Sequence, residues 1–291
     1  SIQGVLSEVP RTTNRLSPDY PLRRQRCIWL SLMAGLLLSS ACNQPKPESH
    51  TGNGPPQLLI ISSLIGYVEP CGCTLDLLLG GIDRMATAVR KARAEGPTAV
   101  VLVGPYLFEK AVEPHRVAQE KAKALLLVRS LRRIGIDAVV STPNELIHGA
   151  DYFEKLMGAS PFVDVTANTE KGQPRVITVG QLKVGLFGLA KPDGKTPSGL
   201  ARSPQESTQG AVDSLRRQGA QIVVSLANLP RRNIRQLAGQ VNGVDLWILG
   251  DHPNEERVAS PTSNGYLIEA GDRGRNLGKI VFHEAGQPGR L

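Results

Sequence analysis

The segment GGIDRMATAVRKARAE, residues 80–95, lies between QLLIISS at residues 57–63, which contains the apolar run LLII, and the apolar run AVVLV at residues 99–103. Both runs have the length of a strand and are apolar at consecutive positions, which is typical of strands buried on both faces of a sheet. The segment between them has the length of a helix and begins with two glycines, which suit a tight turn. This order predicts a strand–helix–strand unit and therefore an α/β fold.

The same alternation continues through the rest of the chain. A long amphipathic helix is expected at residues 115–134, with Leu125, Leu126, Val128 and Leu131 on its buried side. Further helices are expected at residues 150–157, 204–219 and 231–241. Strands are expected at residues 138–141, 163–167, 175–179, 182–189, 221–226 and 246–249, followed by an antiparallel pair at 265–270 and 277–283. This arrangement predicts two stacked mixed sheets with helices on the outside, in one domain.

The N-terminal residues have the pattern of an export signal. An arginine-rich stretch at residues 23–26 precedes an apolar run at residues 27–38, which is too short to span a bilayer. Small residues at 39–41 then lead to Cys42, as in a lipoprotein signal. We therefore expect residues 1–41 to be an N-terminal extension and signal peptide, and Cys42 to carry the lipid. Residues 42–56 are then expected to be a flexible tether, and residues 57–291 to form the folded domain. An ordinary secretory signal cut after Ala41 and a retained membrane anchor remain as alternatives.

Charge and cysteine content exclude two classes of protein. The formal net charge is +8, and residues 1–41 hold five Arg against Glu8 and Asp19, so the mature chain keeps about +5. With no dense basic run and few aromatic residues, nucleic-acid binding is not expected. Only Cys71 and Cys73 remain outside the signal and the lipid site, which excludes a disulfide framework.

Four segments together resemble the metallophosphoesterase domain of bacterial 5′-nucleotidases, part of the calcineurin-like superfamily. They are GGIDRMAT at residues 80–87, IGIDAV at 134–139, GVDLWILG at 243–250 and AGDRGRNLG at 270–278. The resemblance implies a four-layer α/β/β/α sandwich with two mixed sheets. It also implies a pair of divalent metal ions that activate a hydroxide for attack on phosphorus.

The metal-ligand positions that the resemblance implies are mostly occupied by other residue types. Ser63 and Ile65 stand for an Asp-x-His, Gly104-Pro105 for a Gly-Asp, Asn144-Glu145 for an Asn-His, and Ala227 or Asn228 for a His. Residues 250–253 read Gly-Asp-His-Pro in place of Gly-His-x-His, or His252 and Asn254 fill the two positions if the register shifts by one. Without a bridging carboxylate two dications would repel each other strongly, so the ordinary dinuclear site is expected to be absent. The domain is therefore identified as a degenerate member of this family.

The remaining candidate residues define two further sites. Cys71 and Cys73, together with Asn144, Glu145, Asp251 and His252, are candidates for a metal or thiol site, and Asp76 or His148 could complete it. The cysteines could equally form a structural disulfide, exchange thiols or be inert. Gly80 and Gly81 before the helix, with Arg84 one turn in, are candidates for anion binding.

These features predict a non-catalytic binding or accessory lipoprotein, with no cofactor assigned. The alternatives are a phosphoesterase with a rebuilt site holding a single divalent ion (Zn, Mn or Fe), and a thiol- or metal-handling protein that acts through Cys71 and Cys73. Asn43 after the lipid site favours, by resemblance to Gram-negative lipoproteins, the periplasm-facing side of the outer membrane. The expected partners are the membrane, through the lipid anchor, and an unidentified periplasmic protein or small ligand.

Overall fold

The computed structural model describes residues 52–71, 79–109, 113–158, 162–191, 202–250, 259–269 and 271–283, with only the backbone of Cys71. All of these residues belong to one compact unit, Ser49–Leu291. The helices in this part of the chain are α1 (Ile82–Glu95), α2 (Val117–Ile134), α3 (Ala150–Met157), α4 (Pro204–Arg217) and α5 (Arg231–Gln240). Short 3-10 helices lie at Pro114–Arg116 and Pro143–Leu146.

The first sheet contains four strands in the order β12-β1-β4-β5: β12 (Gly278–Val281), β1 (Gln57–Ser62), β4 (Thr98–Val103) and β5 (Ala138–Val139). The strands β1, β4 and β5 are parallel, and β12 is antiparallel to β1. A separate two-stranded pair joins β2 (Pro70–Cys71) to β3 (Leu79–Gly80).

The second sheet has the order β10-β11-β9-β8-β7-β6: β10 (Ser260–Thr262), β11 (Gly265–Glu269), β9 (Leu246–Leu249), β8 (Ile222–Asn228), β7 (Leu182–Ala190) and β6 (Arg175–Val179). The four central strands are parallel, and β10 and β6 are antiparallel edges. The hairpin predicted around Gly180-Gln181 is confirmed, since Val179 pairs with Leu182.

Three apolar cores separate four layers. Side chains such as Leu58 and Ile60 of β1 pack between the sheets against Leu186 of β7, whereas Leu59 and Ile61 pack against α1, α2 and α3. This follows the two-residue alternation of a strand. On the far side of the second sheet, the fully buried Trp247 packs against α4 and α5. The predicted α/β/β/α sandwich with two mixed sheets is therefore confirmed.

Three local predictions are wrong. Residues 163–167 make only isolated bridges, because the Asp164 carboxylate accepts hydrogen bonds from Thr166 locally. The predicted final strand pair is split between sheets, with β11 beside β9 and β12 beside β1, since periodicity identifies a strand but not its partner. Leu125 and Leu126 lie on the exposed side of α2, where Ala124, Leu127, Val128 and Leu131 form the buried side.

No helix among the described residues is both long enough and apolar enough to cross a membrane. The signal peptide at 1–41, the lipid site Cys42 and most of the tether at 42–56 lie outside the described residues. Their boundaries therefore stay predictions.

Candidate functional site

The candidate site lies where the parallel strands end. Because carboxyl ends of parallel strands meet at one edge of a sheet, ligand sites in α/β proteins form in the loops that follow them. Here these loops begin with Ser63 after β1, Gly104 after β4 and Gly250 after β9. Asn144 and Glu145 follow β5, and Asn228 is the last residue of β8.

The loops after β1, β4 and β9 are in direct contact. The Ser63 hydroxyl donates a hydrogen bond to the Gly250 carbonyl, and the Ser63 N–H donates to the Val103 carbonyl at 2.9 Å. Gly104 has a φ of 80°, and a Cβ there would overlap both the Gly250 carbonyl and the Ser63 hydroxyl. Backbone and one hydroxyl therefore fill the space between these strand ends.

The loop after β1 is also fixed to the loop after β4. The N–H of Ile65 donates to the Pro105 carbonyl at 3.1 Å, and that of Gly66 donates to Tyr106 at 3.0 Å. Ile65 adopts a φ of 42°, which is unusual for a β-branched residue and needs support from its surroundings. These two hydrogen bonds provide that support.

Glu145 is buried, at 1% exposure, and both of its carboxylate oxygens accept hydrogen bonds. Oε1 accepts from the N–H of Tyr106 at 2.9 Å and that of Leu107 at 3.5 Å. Oε2 accepts from the Thr142 N–H at 2.8 Å and the Thr142 hydroxyl at 2.6 Å. Burial raises the pKa of Glu145 to about 7, although these hydrogen bonds oppose the shift. Glu145 thus links the loops after β4 and β5.

Tyr106 and His148 pack beside this link, and burial shifts the pKa of each. Burial, and then the Glu145 and Asp164 carboxylates, raise the pKa of Tyr106 well above its usual value. Burial, and then Lys121, lower the pKa of His148. The His148 ring makes an edge contact with Phe108, with 4.8 Å between ring centroids. Burial thus favours the neutral form of both side chains.

The side-chain amide of Asn144 forms hydrogen bonds, whereas the amide oxygen of Asn228 has no partner among the described residues. The side-chain nitrogen of Asn144 donates to the carbonyls of Phe108 and Glu109, the former at 3.3 Å. Asn228 lies on the same face of β8 as Leu226, between the sheets, and its Oδ1 is buried with no partner among the described residues. Ser62 at the end of β1 also has a buried Oγ without a partner in the described part of the chain.

The predicted anion site keeps its glycines in unusual conformations. Gly80 and Gly81 have φ values of 78° and 93°, and α1 begins immediately after them. The Ile82 N–H donates to the Val68 carbonyl at 3.0 Å, and Asp83 adds a carboxylate in the first turn. Arg84 is exposed on α1. Anion binding here stays a prediction.

A cleft of about 300 Å³ opens beside the loop after β1. Residues 65–70 form one wall, and the charged side chains of Glu109, Arg116, Glu120 and Lys123 line the other. Arg116 and Glu120 lie 3.9 Å apart as an ion pair. Carboxylates and cations mix in the cleft, so its charge does not select one class of ligand.

Solved structures of several phosphoesterases share this architecture. A 5′-nucleotidase precursor from Thermus thermophilus has a TM-score of 0.64 at 20% identity, over 80% of this chain and 52% of that protein. The sulfate thiohydrolase SoxB of Thermus thermophilus has a TM-score of 0.67 at 17% identity, over 80% and 55%. The calcineurin-like phosphoesterase YfkN of Bacillus subtilis has a TM-score of 0.58 at 17% identity, over 77% and 83%. The chain has the calcineurin-like phosphoesterase fold.

This phosphoesterase-like chain spans about half the length of the first two of these proteins. No protein-family model matches its sequence, and no curated protein matches it either. At these identities the likeness concerns the fold, and the chemistry depends on the residues present at the site.

The described strand ends of the phosphoesterase-like domain do not fit a pair of metal ions. Ser63, Ile65 and Pro105 bring neither a carboxylate nor an imidazole, and the four hydrogen bonds to Glu145 occupy both of its oxygens. Within the described ranges, no three His, Cys, Asp or Glu side chains lie together as a metal site. We therefore derive no hydrolytic step through such ions.

The structure brings together only part of the predicted site. Asn144 and Glu145 lie beside one another, but their side chains bind different backbone groups. The backbone of Cys71 pairs with Leu79 in the β2–β3 pair, while Cys73, Asp251 and His252 lie outside the described residues. The metal or thiol site is therefore untested.

Sequence reasoning left the residue at the end of β8 open between Ala227 and Asn228. The structure distinguishes them: Ala227 packs towards the helices, whereas Asn228 lies on the face between the sheets. The structural role of Glu145 could have been recognised from Thr142-x-x-Glu145, which has the spacing of a capping box.

Proposed function

We propose that this chain is an exported lipoprotein whose phosphoesterase-like domain acts as a non-catalytic binding or accessory protein at the cell envelope. The main support for a non-catalytic role is the set of hydrogen bonds that the Glu145 carboxylate accepts. Glu145 stands where the resemblance places an imidazole, and its four hydrogen bonds join two loops. A carboxylate held in this way joins two loops and is not a free ligand that converges on a metal ion.

The packing of Ser63, Gly104 and Gly250 supports the same proposal. Catalysis by two metal ions needs ligand oxygens that converge on a space a few ångströms across. The corresponding strand ends here are joined by a hydrogen bond and by close backbone contact. The proposals of a lipid anchor at Cys42, an outer-membrane location and a periplasmic partner or ligand rest on the signal-like sequence at residues 23–43.

One observation favours a second candidate, a hydrolase with a rebuilt single-metal site. The Oδ1 of Asn228 is buried and has no partner among the described residues, and an amide oxygen is an acceptable ligand for a hard divalent ion. Asp251 and His252 follow β9 closely enough in sequence to join it.

A phosphatase assay separates the two candidates. Residues 49–291 are incubated with 5′-AMP and p-nitrophenyl phosphate in the presence of Mn²⁺ or Zn²⁺, alongside the variants Asn228→Ala and, as an exposed control, Asn233→Ala. We expect no metal-dependent release of phosphate from any of the three proteins. Turnover that Asn228→Ala abolishes and Asn233→Ala preserves would establish the hydrolase instead.

A further inference from the structure

The outward face of α2 carries two adjacent leucines that the fold does not cover. Leu125 is 40% exposed and Leu126 is 51% exposed, and only two other large hydrophobic side chains among the described residues are comparably exposed. Contiguous exposed apolar residues on a soluble domain mark a contact surface more often than single ones do.

The same face is basic. Arg129 and Arg133 follow Leu126 at helical spacing, so they lie in one stripe, and both are exposed. Neither forms an ion pair within the described part of the chain. The only acidic residue of α2, Glu120, is turned towards the cleft. The stripe therefore combines apolar side chains with cations and contains no carboxylate.

The chain enters the domain beside the basic end of this stripe. The Gly54 N–H donates to the Glu95 carbonyl at the C-terminal end of α1, at 3.0 Å. Arg93 of α1 in turn donates to the Gly135 carbonyl, at the C-terminal end of α2, at 2.7 Å. The ends of α1 and α2 are thus joined, and Gly54, near the end of the tether, lies on the same side of the domain as the last turn of α2, which holds Arg133.

We propose that the outward face of α2, formed by Leu125, Leu126, Arg129 and Arg133, docks on an anionic phospholipid bilayer. Leucine side chains enter the headgroup region while guanidinium groups bind lipid phosphates, as on interfacial helices. The orientation rests on the proposed lipid anchor: Cys42 precedes Gly52 by ten residues, which reach at most about 35 Å. The anchor and the stripe then meet the same membrane.

Vesicle cosedimentation of residues 49–291 tests the surface without the lipid. This piece is the compact unit that contains all three cores, so it is suitable for study on its own. The probes are vesicles of phosphatidylcholine alone and vesicles in which about one third of the lipid is phosphatidylglycerol. Each basic residue near an anionic surface contributes about fivefold to binding at low salt.

We expect the domain to bind the anionic vesicles only, and to bind them more weakly as salt is added. Arg129→Gln should reduce this binding about fivefold, and adding Arg133→Gln should reduce it by a similar factor again. Leu126→Gln should weaken binding at every salt concentration. The matched control is Arg217→Gln, an exposed arginine in the last turn of α4 on the opposite helical layer, which should leave binding unchanged.

Equal binding to both vesicle types, or equal loss in the Arg217→Gln control, would overturn the membrane surface. A monomer–dimer equilibrium that Leu126→Gln shifts would assign the face to a second copy instead, and would also overturn it. None of these outcomes bears on lipidation of Cys42 or on phosphatase activity, so failure here is distinguishable from failure of the proposed function.

Discussion

Replacing Glu145 with glutamine should remove a pH dependence from the stability of the domain. The carboxyl group is buried and its pKa is raised to about 7 in the folded protein, against 4.5 for an ordinary glutamate. The folded state therefore binds an extra proton between these two values. Stability from this group is fully present at low pH and is lost as the pH rises through 7.

The size of the effect follows from the two pKa values. Between about pH 5.5 and about pH 8, the wild-type domain should lose roughly 2 kcal/mol of unfolding free energy through this group. The protonated carboxyl keeps its short contact with Thr142, because a hydroxyl can accept as well as donate. In Glu145→Gln the amide nitrogen faces a backbone N–H of Tyr106 or Thr142, which costs about 1–3 kcal/mol at any pH.

Urea denaturation of wild type, Glu145→Gln and the exposed control Glu154→Gln at both pH values measures this directly. The side chain of Glu154 is 65% exposed and pairs with Lys171 on the surface. We expect wild type and control to lose stability in parallel as the pH rises, and Glu145→Gln to lose about 2 kcal/mol less. Parallel loss in all three proteins would refute the assigned role of Glu145.

Three further changes test the packing and the export signal. Gly104→Ala should lower the unfolding free energy by about 3 kcal/mol or more, because a Cβ at this positive φ overlaps the Gly250 carbonyl. Gly210→Ala in α4 has open space around the new Cβ and should raise it by up to about 1 kcal/mol. Thermal melting that ranks the two variants otherwise would contradict this packing. Arg93→Met removes the guanidinium that donates to the carbonyls at the C-terminal end of α2, and it should lower the unfolding free energy by about 2–3 kcal/mol. An unchanged midpoint in urea titration would show that Arg93 does not stabilise this helix end. Cys42→Ala should remove lipid from the N-terminus of the exported protein, as measured by mass spectrometry, and leave any membrane association removable by high salt. Lipid retained at the N-terminus of the variant would contradict the predicted lipid site.

The layers of the fold could be predicted from sequence because their signals are local. The continuous apolar runs at residues 58–61 and 99–103 predicted two buried parallel strands, and helical periodicity predicted most helices. The partners of β11 and β12 could not be predicted, because the sequence of a strand does not specify which sheet the strand joins. The exposed side of α2 was misjudged because residues 124–128 are all apolar, and a run of five apolar residues does not reveal which three are covered.

The candidate site was less predictable than the fold. The absence of acidic and imidazole side chains at residues 63, 65 and 105 could be recognised from the sequence alone. The bonds between Glu145 and Thr142 could also be recognised, from the spacing of a capping box. The bonds to the N–H groups of residues 106–107 could not, because these residues lie on a separate loop. The buried Oδ1 of Asn228 likewise depends on which face of β8 its side chain occupies.

Elemental analysis of residues 49–291, purified without chelator and measured by inductively coupled plasma mass spectrometry, tests the loss of the metal centre most directly. A non-catalytic phosphoesterase-like scaffold should contain far less than one equivalent of transition metal per chain. One or more equivalents of Zn, Mn or Fe, reduced by Asn144→Ala, Asn228→Ala or His252→Ala, would contradict it and identify a rebuilt metal site.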